Sequence, residues 1–224
     1  MGTKFNRILF DYDGTILIHD DEEQGKMIAK ALGLDEEEKQ IFSSQLLDFF
    51  ANQKYFYKGK KISYDLYYQA MNHYMPCICD FGFTARKVNQ AINQNNLVCS
   101  KLAIGARETF EYLKQQGYMI CLMTNGFMKE QTQSMKHNNI YDYFDRIYTW
   151  DENYAKPDER FMYRVLDGTN PKENVVVGND LVSDIMMAKN AGVFSVGYNL
   201  IPMKDSNIKP DVEIYEFSTL MKML

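Results

Sequence analysis

Asp11 and Asp13 stand two residues apart at the end of an apolar run, in Arg7-Ile8-Leu9-Phe10-Asp11-Tyr12-Asp13-Gly14-Thr15-Ile16. Ile8, Leu9 and Phe10 predict a short buried strand. Asp11 then falls where the chain leaves the sheet, and Gly14 lets the backbone turn sharply. In open parallel α/β sheets, ligands bind beyond the carboxyl ends of the strands. Two carboxylates this close repel unless a cation or a shared proton compensates, and hard oxygen donors suit Mg²⁺. The chemistry on offer is a nucleophilic Asp, a second Asp for acid–base work, and a magnesium ion. The same string also makes an ordinary Asp-Gly turn after a strand, so residues elsewhere must decide between the two.

Three further polar clusters are candidates. Thr124-Asn125-Gly126 follows the apolar stretch Tyr118–Met123. Its hydroxyl, its backbone N–H groups and the helix expected next can hold phosphate oxygens, although a helix cap uses the same residue types. Lys156, in Ala155-Lys156-Pro157-Asp158, supplies a cation that offsets carboxylate and phosphate charge, and Pro157 suits the start of a helix. Val175-Val176-Val177 runs into Gly178-Asn179-Asp180, with Asp184 four residues on. As helix N-terminal residues, Asp180 and Asp184 are also favoured by the dipole alone. Each cluster falls just past a predicted strand or, for Lys156, a short loop beyond one, and in a parallel sheet those ends converge on one crevice.

The elements that must position these residues follow from the texture of the chain. From Ile104 onward strands and helices alternate: helix 105–116, strand 118–123, helix 129–138, strand 146–150, helix 158–166, strand 174–177, helix 181–190 and strand 194–198. Repeated βα units imply a parallel sheet with helices on both faces. Residues 212–224 read as a closing strand and short helix. Between residues 17 and 100 the pattern is helical and contains no convincing strand. Helices are expected over 20–32, from Asp35 onward, over 62–75 ending at Pro76, and over 84–95. Asp35, Ser63 and Thr84 stand where N-caps belong. Residues 55–61 form a lysine-rich polar break. The expected architecture is an α/β protein: a Rossmann-like core of residues 1–16 and 101–224, with an all-helical domain, 17–100, inserted after the first strand.

The 224 residues, 46% hydrophobic, suffice for such a core, and the net charge of −5 speaks against a nucleic-acid surface. No run of about 18 apolar residues implies a membrane span, and the residues before the first strand lack a signal-peptide pattern. Cys77, Cys79, Cys99 and Cys121 have no metal-ligand spacing and suit a reducing, cytoplasmic setting. His19, His73 and His137 form no ligand pattern either, and Trp150 is expected to pack.

Taken in order, the four clusters resemble the four signatures of the haloacid dehalogenase (HAD) superfamily: Asp-x-Asp-Gly-Thr, Thr-Asn-Gly-Phe, Lys-Pro and the acidic fourth motif. The resemblance covers residues 5–15 and roughly 104–200, and the helical insert is similar to a family cap domain. One departure stands in the fourth motif, where family members often carry Gly-Asp and this chain has Gly178-Asn179, with the carboxylate moved to Asp180. Either Asn179 or Asp180 is then the direct metal ligand, and Asp184 faces a metal-bound water or Lys156.

The resemblance implies Mg²⁺-dependent hydrolysis of a small phosphorylated metabolite. Asp11 attacks phosphorus, and Asp13 protonates the leaving oxygen and later activates water. Thr124, Asn125, Gly126 and Lys156 hold the phosphoryl oxygens. Asp11, the Asp13 carbonyl, Asn179, Asp180 and Asp184 are the candidate metal ligands. Within the family the rivals are dehalogenation, which needs neither Mg²⁺ nor a protonated leaving group, and phosphomutase chemistry. A non-catalytic binding protein on the same scaffold is the reading from outside enzymology. The cap plan is similar to the pyrimidine 5′-nucleotidase and phosphoglycolate phosphatase branch. Tyr55, Tyr57, Lys58, Lys60, Lys61 and Tyr64 could stack on a base and attract phosphate, or simply form a solvated basic loop over packed tyrosines.

Overall fold

The computed structural model describes residues 5–151, 153–204 and 206–224; the first four residues of the expected core, Glu152 and Asp205 lie outside it. It divides into two compact units, one running to Ile18 and resuming over Lys101–Leu224, the other His19–Ser100. The strands are β1 (Arg7–Phe10), β2 (Leu17–Ile18), β3 (Lys101–Leu102), β4 (Met119–Met123), β5 (Arg146–Tyr148), β6 (Asn174–Gly178), β7 (Phe194–Tyr198) and β8 (Val212–Ile214). Six of them form one parallel sheet in the order β5-β4-β1-β6-β7-β8. The chain builds outward from β1 through β4 to β5, then returns to place β6 on the other side of β1. That reversal opens a crevice at the carboxyl end of β1.

Alternation along each strand sends its side chains into two cores. Ile8, Phe10, Ile120, Leu122, Val175 and Val177 pack on one face with Ala106, Phe110 and Leu113 of α6 (Ala106–Gln115) and Met135 of α7 (Met128–His137). Leu9, Cys121, Met123 and Val176 pack on the other, against Phe161, Met162 and Val165 of α8 (Glu159–Leu166) and Met187 and Ala188 of α9 (Met187–Asn190). Phe10 stands edge-on to Phe110 at 5.3 Å and stacks on Phe217 at 5.8 Å. Burial of these apolar side chains is the main favourable term holding the sheet to its helices.

The second unit is built from α1 (Asp21–Ala31), α2 (Glu36–Phe56), α3 (Tyr64–Tyr74), α4 (Cys77–Asp80) and α5 (Ala85–Cys99). Asp20, Asp35, Ser63 and Thr84 cap four of them, Asp35 with Glu38 in a reciprocal capping box. Phe42, Leu46 and Phe49 of α2 are buried, and Phe49 meets Tyr67 edge-on at 5.5 Å. Among the described residues no helix is long and apolar enough to cross a membrane, and the four cysteines are free.

The structure corrects several expected boundaries. Residues 17–100 do include a strand, since Leu17–Ile18 pairs antiparallel with Lys101–Leu102; two residues are too few to show alternation. Tyr55 and Phe56 belong to α2 rather than to the polar break, because nothing before Gly59, at φ +74°, obliges the helix to stop. Tyr57 is buried, with its hydroxyl donating to Gln53 Oε1 at 3.2 Å, so it packs rather than offering a stacking face. Strand β5 ends at Tyr148, opposite the last residue of β4, and beyond it Trp150 N turns to Gly126 O at 3.4 Å in the loop after β4. Trp150 is buried against Phe127 at 5.5 Å. The helix expected over 181–190 is a wide π-turn over Leu181–Met186 followed by α9, a form that recurs at functional sites.

Candidate active site

Asp11 leaves the sheet at the end of β1, where its N–H donates to Val177 O of β6 at 2.9 Å. The turn that follows closes on itself: Ile16 N and Leu17 N both donate to Tyr12 O, at 2.9 and 3.0 Å, and Gly14 N donates to Leu17 O at 2.7 Å. Gly14 adopts φ +82°, and a Cβ there would stand 2.2 Å from Asn179 Nδ2. The turn therefore needs glycine both for its left-handed backbone and for the approach of Asn179.

The wide turn after β6 and the loop before α8 bring the other charges in. Lys156 Nζ lies 2.6 Å from Asp11 Oδ1 and 2.7 Å from Asp184 Oδ1, with all three side chains buried. Thr15 Oγ1 donates to Asp11 Oδ2 at 2.8 Å and lies 3.3 Å from Asn179 Oδ1. Asp180 turns to its own helix and accepts from Val182 N and Ser183 N at 2.8 and 2.7 Å. Asp180, not Asn179, is the cap of that turn. Asp13 is exposed, 3.3 Å from Gln131 Nε2.

The electrostatics follow from that packing. Two buried carboxylates face one ammonium, which leaves an uncompensated negative charge. Burial, and next the charge of Asp184, push the Asp11 carboxyl up to about 7, although Lys156 pulls the other way. Burial alone would lower the Lys156 ammonium; Asp11 and Asp184 outweigh it and hold it charged, above its usual range. Among the described residues two of the lysine's three N–H donors are used, which leaves one for an incoming anion.

Asn125 does not point its side chain at that space. Its Nδ2 donates to Lys156 O at 3.0 Å, and its Oδ1 accepts from Lys156 N at 2.8 Å. The amide thereby fixes the backbone of the lysine loop to the end of β4. Thr124 is buried with its N–H on Tyr148 O at 2.9 Å. Among the described residues nothing accepts from the N–H groups of Asn125 and Gly126, and the Thr124 hydroxyl has no hydrogen-bond partner. Unused donors at the head of a helix suit an anion.

Asp11, Thr124, Lys156, Asn179 and Asp184 all lie at the carboxyl ends of β1, β4 and β6 or in the loop before α8, and of these the structure brings Asp11, Lys156, Asn179 and Asp184 to one place with Thr15. Thr15 and Gln131 were not singled out from the sequence. For Thr15 a signal was present, a hydroxyl four residues after Asp11; Gln131 had no signal beyond standing on the helix after Thr124-Asn125-Gly126.

The sheet is of the doubly wound α/β class, with a buried carboxylate–lysine–carboxylate cluster beyond its central strand. The profile of the haloacid dehalogenase-like hydrolases matches residues 8–198, and the chain belongs to that family. The glyceraldehyde 3-phosphate phosphatase of Pyrococcus furiosus is 34% identical over 97 residues, 42% of this chain and 40% of that protein. The pyrimidine 5′-nucleotidase of Streptococcus pneumoniae is 23% identical over 150 residues, 65% of this chain and 62% of that one. The matched stretch thus spans less than two thirds of either relative. A Bacillus subtilis protein assigned to the HAD hydrolases, solved with magnesium bound, superposes with a TM-score of 0.76 at 18% identity over 99% of both chains. The 2-haloacid dehalogenase of Pseudomonas syringae superposes at 0.63, with 19% identity over 97% of both. The fold is common to dehalogenase and phosphatase alike, so the reaction must be argued from the site.

Proposed function

We propose that the chain is a Mg²⁺-dependent phosphatase that hydrolyses a small phosphomonoester through an aspartyl-phosphate. The observation that carries this reading is the pairing of an under-compensated buried carboxylate, Asp11, with unused donors on Thr124, Asn125 and Gly126. A nucleophile at the end of β1 and unused donors at the end of the adjacent strand β4 suit phosphoryl transfer, since its catalysis is mostly positioning and charge stabilisation.

In the first step an Asp11 carboxylate oxygen bonds to phosphorus while the bond to the leaving oxygen breaks, and Asp13 gives that oxygen its proton. In the second, water attacks phosphorus, Asp13 takes a water proton, and the acyl–phosphate bond breaks to return Asp11. Splitting the displacement in two lowers each barrier. Thr124 Oγ1, the N–H groups of Asn125 and Gly126, and the third Lys156 N–H hold the phosphoryl oxygens. Asn125 acts through its backbone N–H, while its side chain holds Lys156 in place.

The donor set fits magnesium. Among the described residues no three His, Cys, Asp or Glu side chains converge as a ready-made cluster. Mg²⁺ is commonly held by one or two carboxylates, with waters and substrate phosphate completing its shell. Asp11, the Asp13 carbonyl and Asn179 Oδ1 would hold it; Asp180 is committed to its cap, and Asp184 to Lys156. Bound there, the ion would neutralise repulsion between Asp11 and the substrate. Asp13 sets this reading above dehalogenation, which has no leaving oxygen to protonate. The core unit carries the chemistry and His19–Ser100 acts as the cap that selects substrates, which are small phosphorylated metabolites with nucleoside monophosphates among them. Lys58, Lys60 and Lys61 remain exposed as contributors to anion attraction.

The test is phosphate release from nucleoside monophosphates, triose phosphates and phosphoglycolate, with and without Mg²⁺. Magnesium-dependent release from one class is expected. A folded protein that releases phosphate from none of them overturns the reading.

A further inference from the structure

The acid–base group of the proposed reaction is exposed, yet a proton donor must meet the leaving oxygen at one angle. Its backbone is fixed by the closed turn described above. Helix α7 adds two contacts from residues one turn apart, which share a face. Tyr12 OH donates to Ser134 Oγ at 2.9 Å, both side chains buried, and Gln131 Nε2 donates to Asp13 Oδ2 at 3.3 Å. The Gln131 amide lies against Gly126, where a Cβ would stand 2.2 Å from Nε2 and 2.8 Å from Cδ. Gln131 Oε1 is buried with no hydrogen-bond partner among the described residues. An orphaned buried carbonyl costs stability, and a glutamine held there against that cost points to a task at Asp13.

We propose that Gln131 is a positioning residue for Asp13, its amide aiming the carboxyl at the leaving oxygen, and that Gly126 is glycine so that this amide can lie beside the site. The inference rests on the phosphatase reading. Up to departure of the leaving group, which is what kcat/KM reports, loss of aim slows only the transfer of a proton to the leaving oxygen; the water step that Asp13 also assists comes afterwards. An alkoxide leaving group needs that proton, whereas a nitrophenolate leaves without it.

The experiment compares kcat/KM for an alkyl phosphate and for p-nitrophenyl phosphate in the parent, Gln131→Met and Asp11→Asn. Met keeps the volume of Gln while removing the amide. Gln131→Met is expected to lose roughly tenfold or more in kcat/KM on the alkyl phosphate, with kcat/KM on p-nitrophenyl phosphate little changed. Equal losses on both substrates, or no loss, overturn the positioning role alone. A parent that releases no phosphate, or release that survives Asp11→Asn, overturns the phosphatase reading and this inference with it.

Discussion

Arg7 and Lys156 are the two cations buried among the described residues, and they lie at opposite ends of the same strand. Arg7 opens β1. Its guanidinium donates to Val165 O at 3.1 Å, Leu166 O at 3.1 Å, Tyr148 OH at 3.0 Å and Thr169 Oγ1 at 3.0 Å. Every one of those acceptors is neutral, and two are carbonyls at the carboxyl end of α8, where the helix dipole favours a cation. Lys156 meets two carboxylates beyond the other end of the strand. One end has its charge dispersed over neutral dipoles, with the guanidinium Nε buried and without a hydrogen-bond partner among the described residues. The other has more carboxylate than cation. A buried cation by itself therefore says little about function; what matters is whether the charges around it close.

Breaking the unbalanced end should have the largest effect on chemistry and the smallest on folding. Asp11→Asn takes the cluster from one uncompensated negative charge to none. Phosphate release is expected to fall to background, while the Tm in metal-free buffer is no lower than the parent's. A marked fall in Tm would show that Asp11 is needed for the fold and would undo the contrast with Arg7. Lys156→Met comes next, because it injures both properties. It leaves Asp11 and Asp184 buried and unpaired, at a cost of about 3–5 kcal/mol, and removes an anion donor worth roughly 10²–10³ in kcat. Denaturant unfolding combined with steady-state kinetics measures both quantities in one preparation.

Arg7→Met should do the reverse of Asp11→Asn. It takes the cation from Val165 O and the Tyr148 hydroxyl, while Leu166 O and Thr169 Oγ1 keep each other at 2.6 Å, with an expected loss of about 2–3 kcal/mol. The kcat/KM of the folded protein should not change. If kcat falls while stability holds, the two ends of β1 are coupled and the division drawn here is wrong.

This contrast also marks what could be read beforehand. The strands were legible because Ile8-Leu9-Phe10 and Val175-Val176-Val177 are apolar runs with polar residues at their ends. Asp11, Thr124, Lys156 and Asp184 were legible because each follows a strand or a short loop beyond one, in the family's order. Arg7 was not, since an arginine before an apolar run reads as a solvated strand end; its acceptors lie about 160 residues away in sequence, at Val165 and Leu166. The clamp between Asn125 and Lys156 was hidden for the same reason, being made of groups 31 residues apart. Thr15 had a local signal, a hydroxyl four residues after Asp11, whereas Gln131 meets Asp13 from 118 residues away, which no periodicity reports. In the helical unit the caps at Asp35, Ser63 and Thr84 were legible because capping is local, whereas the burial of Tyr57 depended on tertiary packing.

A third carboxylate sharpens the comparison by the smallest effect. Asp211, just before β8, accepts from Ser195 N and Oγ at 2.8 and 2.7 Å and from Lys189 Nζ at 3.0 Å. Burial would raise its carboxyl, but these donors outweigh that and hold it below the ordinary range. Asp11 and Asp211 thus depart in opposite directions: burial and then Asp184 raise the one, whereas at the other the Ser195 and Lys189 donors outweigh burial. For a carboxyl lowered in the folded state, the stabilisation is present above its unfolded value, near pH 4. It is lost as pH falls through the lower, folded value. The Lys189–Asp211 pair is about one-third exposed, so solvent screening limits the effect to under about 1 kcal/mol. Asp211→Asn should therefore flatten the acid limb of the stability profile below pH ~4 and leave phosphate release at neutral pH untouched. An unaltered acid limb would mean that the Ser195 and Lys189 donors stabilise Asp211 no better than water does, and that closure of charge at this surface carries no weight in the fold.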